Sequence, residues 1–316
     1  MLYKILHFPA SIAIYFYCRY IRITNKKISE IKGPVLIASN HPNSFLDAII
    51  LASLFKKPIY SLARGDAFTG GIINKILSSL KMLPVYRISE GAENLSHNFT
   101  TFSACNDIFK KNGIVLIFSE GRCVNEWHLR NLKKGTARLS LAAWNDKIPV
   151  QVIPLGINYN SFRSFGKNVY LNFGKTITEN DLDRNSSDGK QMLDFNTLLY
   201  SELQKLVYEI NPNDESKRMA LLTRHVSKLK STILFIPALI GRMVNYPIGL
   251  AIRSAIEKRA NDHFDSIVVG LIFIFYPIYY LLIVFMCFIF FNPVIGIAAI
   301  VLLPFVAWSF VQLKKQ

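Results

Sequence analysis

The sequence has few cysteines and none of the motifs that identify nucleotide or nucleic-acid binding. Its four cysteines are scattered without the spacing of a disulfide framework or a metal site, which favours a reducing, cytosolic environment. The histidines show no metal-ligand spacing either, so neither a metal nor another cofactor is expected. No glycine-rich phosphate loop and no nucleic-acid motif occurs. These absences argue against a nucleotide-binding enzyme, a metalloenzyme and a nucleic-acid-binding protein.

Acidic residues are also scarce, and the chain is strongly basic as a result. It contains 37 Lys and Arg against 21 Asp and Glu, a net charge of +16 over 316 residues, and 51% of its residues are hydrophobic. Basic residues flank the apolar segments, as at Arg19, Arg22, Lys228, Lys230 and Lys314. This distribution is typical of a protein that binds anionic membrane lipids. We therefore expect membrane lipids, and no nucleic acid, among its partners.

Residues 29–215 have the pattern of a single α/β domain. Short apolar runs alternate with amphipathic stretches, which is typical of a mostly parallel sheet flanked by helices. The predicted strands are 35–38, 59–63, 83–86, 114–118, 151–156 and 169–173. The predicted helices are 45–55, 72–80, 94–111, 136–144 and 192–210.

Residues 1–28 are predicted to form an N-terminal interfacial membrane helix. The apolar part, 5–20, is short for a membrane span and contains Pro9, and no signal-peptide cleavage site follows it. An ordinary buried helix is the alternative. Residues 216–260 are predicted to form a basic, amphipathic, membrane-associated region, since prolines and polar residues interrupt the apolar run 233–252.

Residues 264–316 are predicted to form a transmembrane helical hairpin. Two uncharged runs, 267–291 and 293–313, are each long enough to cross a bilayer. Lys and Arg flank the pair at both ends, which places both ends in the cytoplasm and the protein in the cytoplasmic membrane with its soluble domain on the cytosolic face. A water-soluble, buried hairpin is the alternative.

Two predicted strands are followed by residues that can carry out chemistry. His41 and Asp47 follow the run 35–38, and Glu120-Gly121 follows the run 114–117. A histidine oriented by an aspartate can take a proton from a hydroxyl. Loops at the ends of strands are where α/β proteins bind ligands. Together these features indicate acyl transfer onto an alcohol.

His41 and Asp47 can meet only in a particular local structure. On one continuous helix they would lie roughly 240° apart. Pro42 favours a turn at His41 before the helix begins, because the residue before a proline avoids the α region. Asn43 or Ser44 would then cap the helix, with Asp47 in its first turn. Ser44-x-x-Asp47 also fits a capping box, in which the carboxylate accepts a free backbone N–H, and the two roles are compatible.

Four blocks between residues 32 and 210 resemble the PlsC-type glycerolipid acyltransferases, in that family's order. They are Asn40-His41 through Asp47, Leu83-Pro84-Val85-Tyr86-Arg87, Phe118-Ser119-Glu120-Gly121 and Val152-Ile153-Pro154-Leu155-Gly156. Two details differ from the family pattern. Five residues rather than four separate the His from the Asp, and Arg122-Cys123 replaces the usual Thr-Arg.

The resemblance implies that a fatty acyl group passes from acyl-CoA or acyl carrier protein to a hydroxyl of glycerol phosphate or lysophosphatidate. His41 would be the general base and Asp47 would orient it. Glu120 and Gly121 would form a substrate loop. The expected ligands of the acceptor phosphate are Arg87, Arg122 and Lys134, each of which has a solvated surface charge as its alternative.

Other functions remain open at this point. The same His-Asp pair could hydrolyse a lysophospholipid or an acyl thioester with water as the acceptor, although a phosphate-directed Arg87 argues against it. A non-catalytic membrane scaffold would explain the apolar helices and the basic charge, but not the four ordered blocks. Ser44 and Cys123 could act as nucleophiles, but neither lies in a nucleophile-elbow pattern.

Overall fold

A computed structural model of the chain describes residues 2–25, 28, 30–86, 97–256 and 263–314. Strands in this part form a seven-stranded sheet in the order β1-β7-β6-β2-β5-β3-β4. The strands are β1 (Cys18–Ile23), β2 (Val35–Ser39), β3 (Ile59–Arg64), β4 (Met82–Val85), β5 (Ile114–Phe118), β6 (Gln151–Tyr159) and β7 (Lys167–Phe173). All neighbours are parallel except β6 and β7, which are antiparallel. The predicted mostly parallel α/β sheet is confirmed.

Helices cover both faces of this sheet, and further helices follow its last strand in the chain. They are α1 (Leu2–Tyr17), α2 (Ser44–Leu54), α3 (Gly71–Ser79), α4 (His97–Lys110), α5 (Gly135–Asn145), α6 (Asp188–Gln204), α7 (Glu215–Leu222), α8 (Lys228–Ile256), α9 (Phe264–Phe290) and α10 (Pro293–Leu313). Each of the six predicted strands corresponds to one of β2 to β7. The first part of the helix predicted at 94–111 lies outside the described residues.

The core is divided by the sheet, as the strand pattern requires. Successive residues of β2 point to opposite faces: Val35 and Ile37 belong to the cluster under α1, α2 and α9, whereas Leu36 and Ala38 belong to the cluster under α4, α5 and α6. These four side chains have no exposed surface. A strand buried on both faces has to be apolar throughout, which explains the continuous apolar runs in the sequence.

The N-terminal helix is shorter than the predicted 1–28. It ends at Tyr17, and the chain then joins the edge of the sheet as β1, which pairs with β7 in parallel. The sequence of β1, Cys-Arg-Tyr-Ile-Arg-Ile, places basic residues among apolar ones. An edge strand tolerates this pattern because part of it is exposed to solvent. Helix α1 still presents large apolar side chains to the outside, with Phe8 71% exposed and Tyr15 59% exposed.

Three helices, α8, α9 and α10, are long and apolar enough to cross a membrane by length and composition. The hairpin predicted at 264–316 corresponds to α9 and α10. Helix α8 differs from the predicted interrupted element because it continues through Pro237 and Pro247 for 29 residues. A proline lacks its own backbone N–H donor and so removes one hydrogen bond of the helix. A helix in apolar surroundings can continue through it, because neighbouring helices satisfy the backbone groups that are freed.

Both ends of α8 are nevertheless linked to the α/β domain, at the start through α10. Near its start, Lys230 donates to Gln312 at 2.7 Å, and Gln312 in turn donates to the Arg19 carbonyl of β1. At its end, Ile256 is 2% exposed in the core cluster that also contains Ile14. The two ends of this continuous helix are therefore both held against the rest of the molecule.

Candidate active site

The predicted site residues lie where β2 and β5 end side by side. Ser39 and Phe118 are paired at the last position of the parallel ladder. Each strand is then followed by a loop, and the two loops are neighbours: one contains His41 and the other contains Glu120. The Ser119 N–H donates to the Ser39 carbonyl at 2.8 Å and so holds the start of these loops together. This is the carboxyl edge of the sheet, where α/β proteins bind their ligands.

His41 and Asp47 are in direct contact. Nδ1 of His41 lies 2.9 Å from Oδ2 of Asp47, whose side chain has no exposed surface. His41 precedes α2, and Asp47 lies in the first turn of that helix. The local structure that Pro42 predicts is thus present, and the longer spacing between the two residues is compatible with their contact.

The carboxylate of Asp47 has two further donors. The Asn43 N–H donates to Oδ2 at 2.9 Å and the Tyr159 hydroxyl donates to Oδ1 at 2.6 Å. Burial and the adjacent carboxylate raise the pKa of Tyr159 well above its usual value, so the phenol stays protonated and donates. Asn43 is the N-cap residue, without a side-chain cap bond of its own. Asp47 therefore accepts a helix-terminal N–H and orients the imidazole at the same time.

The imidazole is held between Asp47 and an aromatic ring. It stacks on Phe118, with ring centroids 3.7 Å apart and an interplanar angle of 11°. The His41 side chain is 18% exposed, so a substrate can reach the ring. With Nδ1 donating to Asp47, Nε2 has the lone pair that a base requires.

Glu120 ties the histidine loop to a second loop. Its Oε2 accepts the His41 N–H at 2.8 Å and its Oε1 accepts the Arg130 N–H at 2.9 Å. The residue is 4% exposed, and burial raises the pKa of its carboxyl group, an effect that the two N–H donors oppose. Glu120 thus fixes the backbone on which the imidazole is carried.

The structure describes two of the three predicted phosphate ligands. Arg122 and Lys134 are both exposed beside the Glu120 loop, and Lys134 is the N-cap residue of α5. Gly121 has φ of +72°, and a Cβ there would lie 2.9 Å from the Lys133 side chain. Glycine suits this position because it adopts the left-handed conformation readily and has no Cβ to meet the lysine side chain. Arg87 lies outside the described residues, two positions after the end of β4.

Sequence reasoning missed two residues of this site. Asn40 continues the ladder with its side chain: Oδ1 accepts the Ile157 N–H at 2.8 Å and Nδ2 donates to the Ile157 carbonyl at 3.0 Å. Its position beside His41 in the block was the available signal. Tyr159 is distant in sequence from Asp47, and no local pattern marks it as a partner.

An apolar cavity of about 270 Å³ adjoins the first turn of α2. Five elements contribute to its lining: α1, α2, the strands β3 and β4, and α9. Residues that line it include Ala10, Phe45, Ile49, Ser266 and Gly270. Phe45 and Ser266 place one end of this cavity near the turn that carries the His-Asp pair.

Metal-binding geometry is not found in the described ranges, where no three His, Cys, Asp or Glu side chains are grouped to hold an ion. The carboxylates of the site are instead bound by N–H and O–H donors.

Comparisons with known proteins agree with the blocks in the sequence. Residues 20–158 match the family model described as Acyltransferase. No curated protein matches the chain. One similar solved structure is the 1-acyl-sn-glycerophosphate (LPA) acyltransferase PlsC from Thermotoga maritima, with 11% identity over 59% of this chain and 72% of that chain and a TM-score of 0.38. The matched residues 20–158 contain all four blocks that resemble the PlsC-type acyltransferases, so the family model supports that resemblance.

Proposed function

We propose that this protein is a membrane-bound O-acyltransferase of glycerolipid synthesis. It transfers a fatty acyl group from acyl-CoA or acyl carrier protein to a hydroxyl of glycerol 3-phosphate or lysophosphatidate. The observation that carries the proposal is the 2.9 Å contact between His41 Nδ1 and the buried carboxylate of Asp47 at the carboxyl edge of the sheet. The contact leaves Nε2 as the proton acceptor.

The reaction needs the dyad and no enzyme nucleophile. As the acceptor's hydroxyl oxygen attacks the thioester carbonyl, its proton passes to Nε2 of His41. The C–S bond then breaks, the ester forms, and the imidazolium returns the proton to the leaving thiolate. Asp47 stabilises the imidazolium and holds its tautomer, a contribution of about 10²–10⁴-fold in rate for general acid–base groups of this kind.

Cations around the Glu120 loop suit a phosphate on the acceptor. Arg122 follows the Glu120-Gly121 turn and is exposed. The Lys133 N–H donates to the Ser119 carbonyl at 2.7 Å, which keeps Lys134 beside the same turn. Helix α5 begins there, and its N-terminus adds a favourable field for an anion. Arg87 completes the proposed set, because a guanidinium can bind phosphate through two hydrogen bonds.

The apolar cavity suits part of the acyl chain. Its lining is nearly all hydrocarbon, and one end lies at Phe45, two positions before Asp47. Its volume of about 270 Å³ is at the low end for ligand pockets, so the rest of a long chain would extend along α1 or α9 into lipid.

The helices that follow the domain give the proposed membrane arrangement. Helices α9 and α10 form a hairpin with both ends at the domain: Asp265 packs in the core and Lys314 donates to the Phe165 carbonyl at 2.8 Å. The outer surfaces expose large apolar residues, as lipid-facing helices do. Since both ends of the continuous helix α8 lie at the domain, we place it along the membrane surface, with the domain on the basic, cytosolic side.

The test is acyl transfer by the purified protein. Labelled acyl-CoA and labelled acyl carrier protein are each incubated with glycerol 3-phosphate, with lysophosphatidate and with no acceptor. We expect labelled product only with a phosphate-bearing acceptor, and His41→Ala should lower the rate at least a hundredfold without changing membrane association. Equal consumption of the thioester with and without acceptor would identify a hydrolase. A His41→Ala variant with more than a few per cent of the activity would exclude the proposed base.

A further inference from the structure

The beginning of α9 packs on the turn between His41 and Asp47. Its N-cap residue His263 and two residues of its first turn, Asp265 and Ser266, make polar contacts there, and we call these three the α9 terminus. Ser44 Oγ and His263 Nδ1 are 2.7 Å apart. The Leu46 N–H donates to Ser266 Oγ at 3.2 Å, and Asn43 Nδ2 donates to Asp265 at 2.7 Å. The turn is thus contacted from a helix that lies outside the matched residues 20–158.

Asp265 is the most tightly held residue of the α9 terminus. Its carboxylate has no exposed surface and accepts hydrogen bonds from the Tyr17 hydroxyl at 2.6 Å, from Asn43 and from the ammonium of Lys167. Burial lowers the pKa of Lys167 to about 7, whereas the adjacent carboxylate favours the charged ammonium. A buried carboxylate that is fixed from α1, α2 and β7 has little freedom to move.

The turn requires such support because part of it is strained. Ser44 has φ of +50°, a left-handed conformation that is unfavourable for a residue with a side chain. Strained residues persist where surrounding contacts hold them. Here the neighbouring Asn43 is bonded on both sides: its side chain to Asp265 and its N–H to Asp47.

We infer that Asp265 is a positioning residue for acyl transfer. It holds Asn43, and Asn43 fixes the carboxylate of Asp47 against His41. Asp265 does not touch the reacting atoms, and its contribution is to keep the His-Asp contact at bonding distance. This inference rests on the proposed function for its kinetic readout, but the structural support of the turn is measurable without it.

Two variants and a matched control test the role. Asp265→Asn keeps the size of the side chain but places an amide among the donors of Asn43 and Lys167. The double variant Lys167→Met with Asp265→Leu replaces the buried pair by apolar side chains, an exchange that buried ion pairs often tolerate. The control, Gln312→Leu, removes the polar contacts of α10 with β1 and with Lys230 of α8, and neither contact involves the turn.

We expect kcat to fall about 10- to 100-fold in both Asp265 variants, because displacements of about 1 Å in a catalytic geometry have effects up to this size. The KM values of donor and acceptor should stay within about threefold, and Gln312→Leu should keep at least half of the kcat. Wild-type kcat in the folded double variant would overturn the inference. So would an equal loss in Gln312→Leu, since that indicates general destabilisation.

Cys123 provides a readout that is independent of activity. Its Sγ accepts the Ser44 N–H at 2.9 Å, while Cys18 and Cys105 are buried. In a Cys287→Ser background, maleimide should label Cys123 several-fold faster in the double variant than in the parent or in Gln312→Leu. Unchanged labelling would overturn the inference even if the protein transferred no acyl group. Faster labelling in a protein without transferase activity would instead refute only the proposed function.

Discussion

Replacing Asp47 by asparagine separates the two functions of its carboxylate. The amide oxygen can take the position of Oδ2, which lies 2.9 Å from the Asn43 nitrogen, and still accept the Asn43 N–H. The amide nitrogen then lies at the position of Oδ1, 2.6 Å from the Tyr159 hydroxyl, which can accept as well as donate. Helix capping and the buried hydrogen bonds therefore survive. We expect the free energy of unfolding to change by less than about 1 kcal/mol, the net worth of one hydrogen bond.

The negative charge beside the imidazole is lost in this variant. In the proposed transition state His41 carries a proton, and the carboxylate whose oxygen lies 2.9 Å from Nδ1 would stabilise it. Substitutions that disturb such a pair lower rates by about 10²–10⁴-fold, which corresponds to about 2.7–5.4 kcal/mol in the activation barrier. We expect this loss in kcat, with the KM of each substrate changed much less.

Steady-state kinetics and thermal unfolding of the purified protein measure the two effects. Tyr159→Phe is the matched control, because it removes one donor to Asp47 and leaves the charge in place. Its kcat should fall far less than that of Asp47→Asn. If Asp47→Asn is as stable as the wild type and turns over within threefold of it, the carboxylate only caps α2, and the assignment of a His-Asp dyad is wrong.

Two further predictions concern the substrates. Arg87→Ala should raise the KM of the acceptor by roughly 10- to 160-fold, equivalent to about 1.5–3 kcal/mol for a lost charge-assisted bond, with little change in the KM of the thioester; equal changes in both would indicate a structural role. Gly270→Leu should shift the preference towards shorter acyl donors in a competition assay, because a Cβ at Gly270 meets no atom within 4 Å and the added side chain would occupy the apolar cavity. An unchanged chain-length profile would show that the acyl group binds elsewhere.

Local sequence patterns predicted the sheet and the His-Asp contact. The central strands β2, β5 and β6 contain apolar runs, and burial on both faces imposes that composition whatever the connections are. The contact between His41 and Asp47 followed from Pro42, whose effect on the preceding residue is local. Such features are encoded within a few residues and can be recognised without knowledge of the rest of the chain.

The partners of the dyad could not be predicted in this way. Tyr159 and Asp265 reach the turn from β6 and α9, and in the sequence they look like an ordinary strand tyrosine and the first acid of a membrane helix. Strand β1 was missed because its run of six residues continues the apolar N-terminal segment. The path of α8 through Pro237 and Pro247 depends on packing against α10, which no local rule contains.

The position of Asp265 in the chain sets an order on the protein's maturation. Chains are synthesised from the N-terminus and their domains generally fold as units during synthesis. Every strand of the sheet therefore leaves the ribosome before Asp265, and Lys167 waits in the nascent sheet without the carboxylate that it will contact. The residue arrives together with the first apolar turns of α9. In the proposed membrane arrangement, the last support of the candidate catalytic turn is therefore added as α9 enters the bilayer, and completion of the site and membrane insertion are one event.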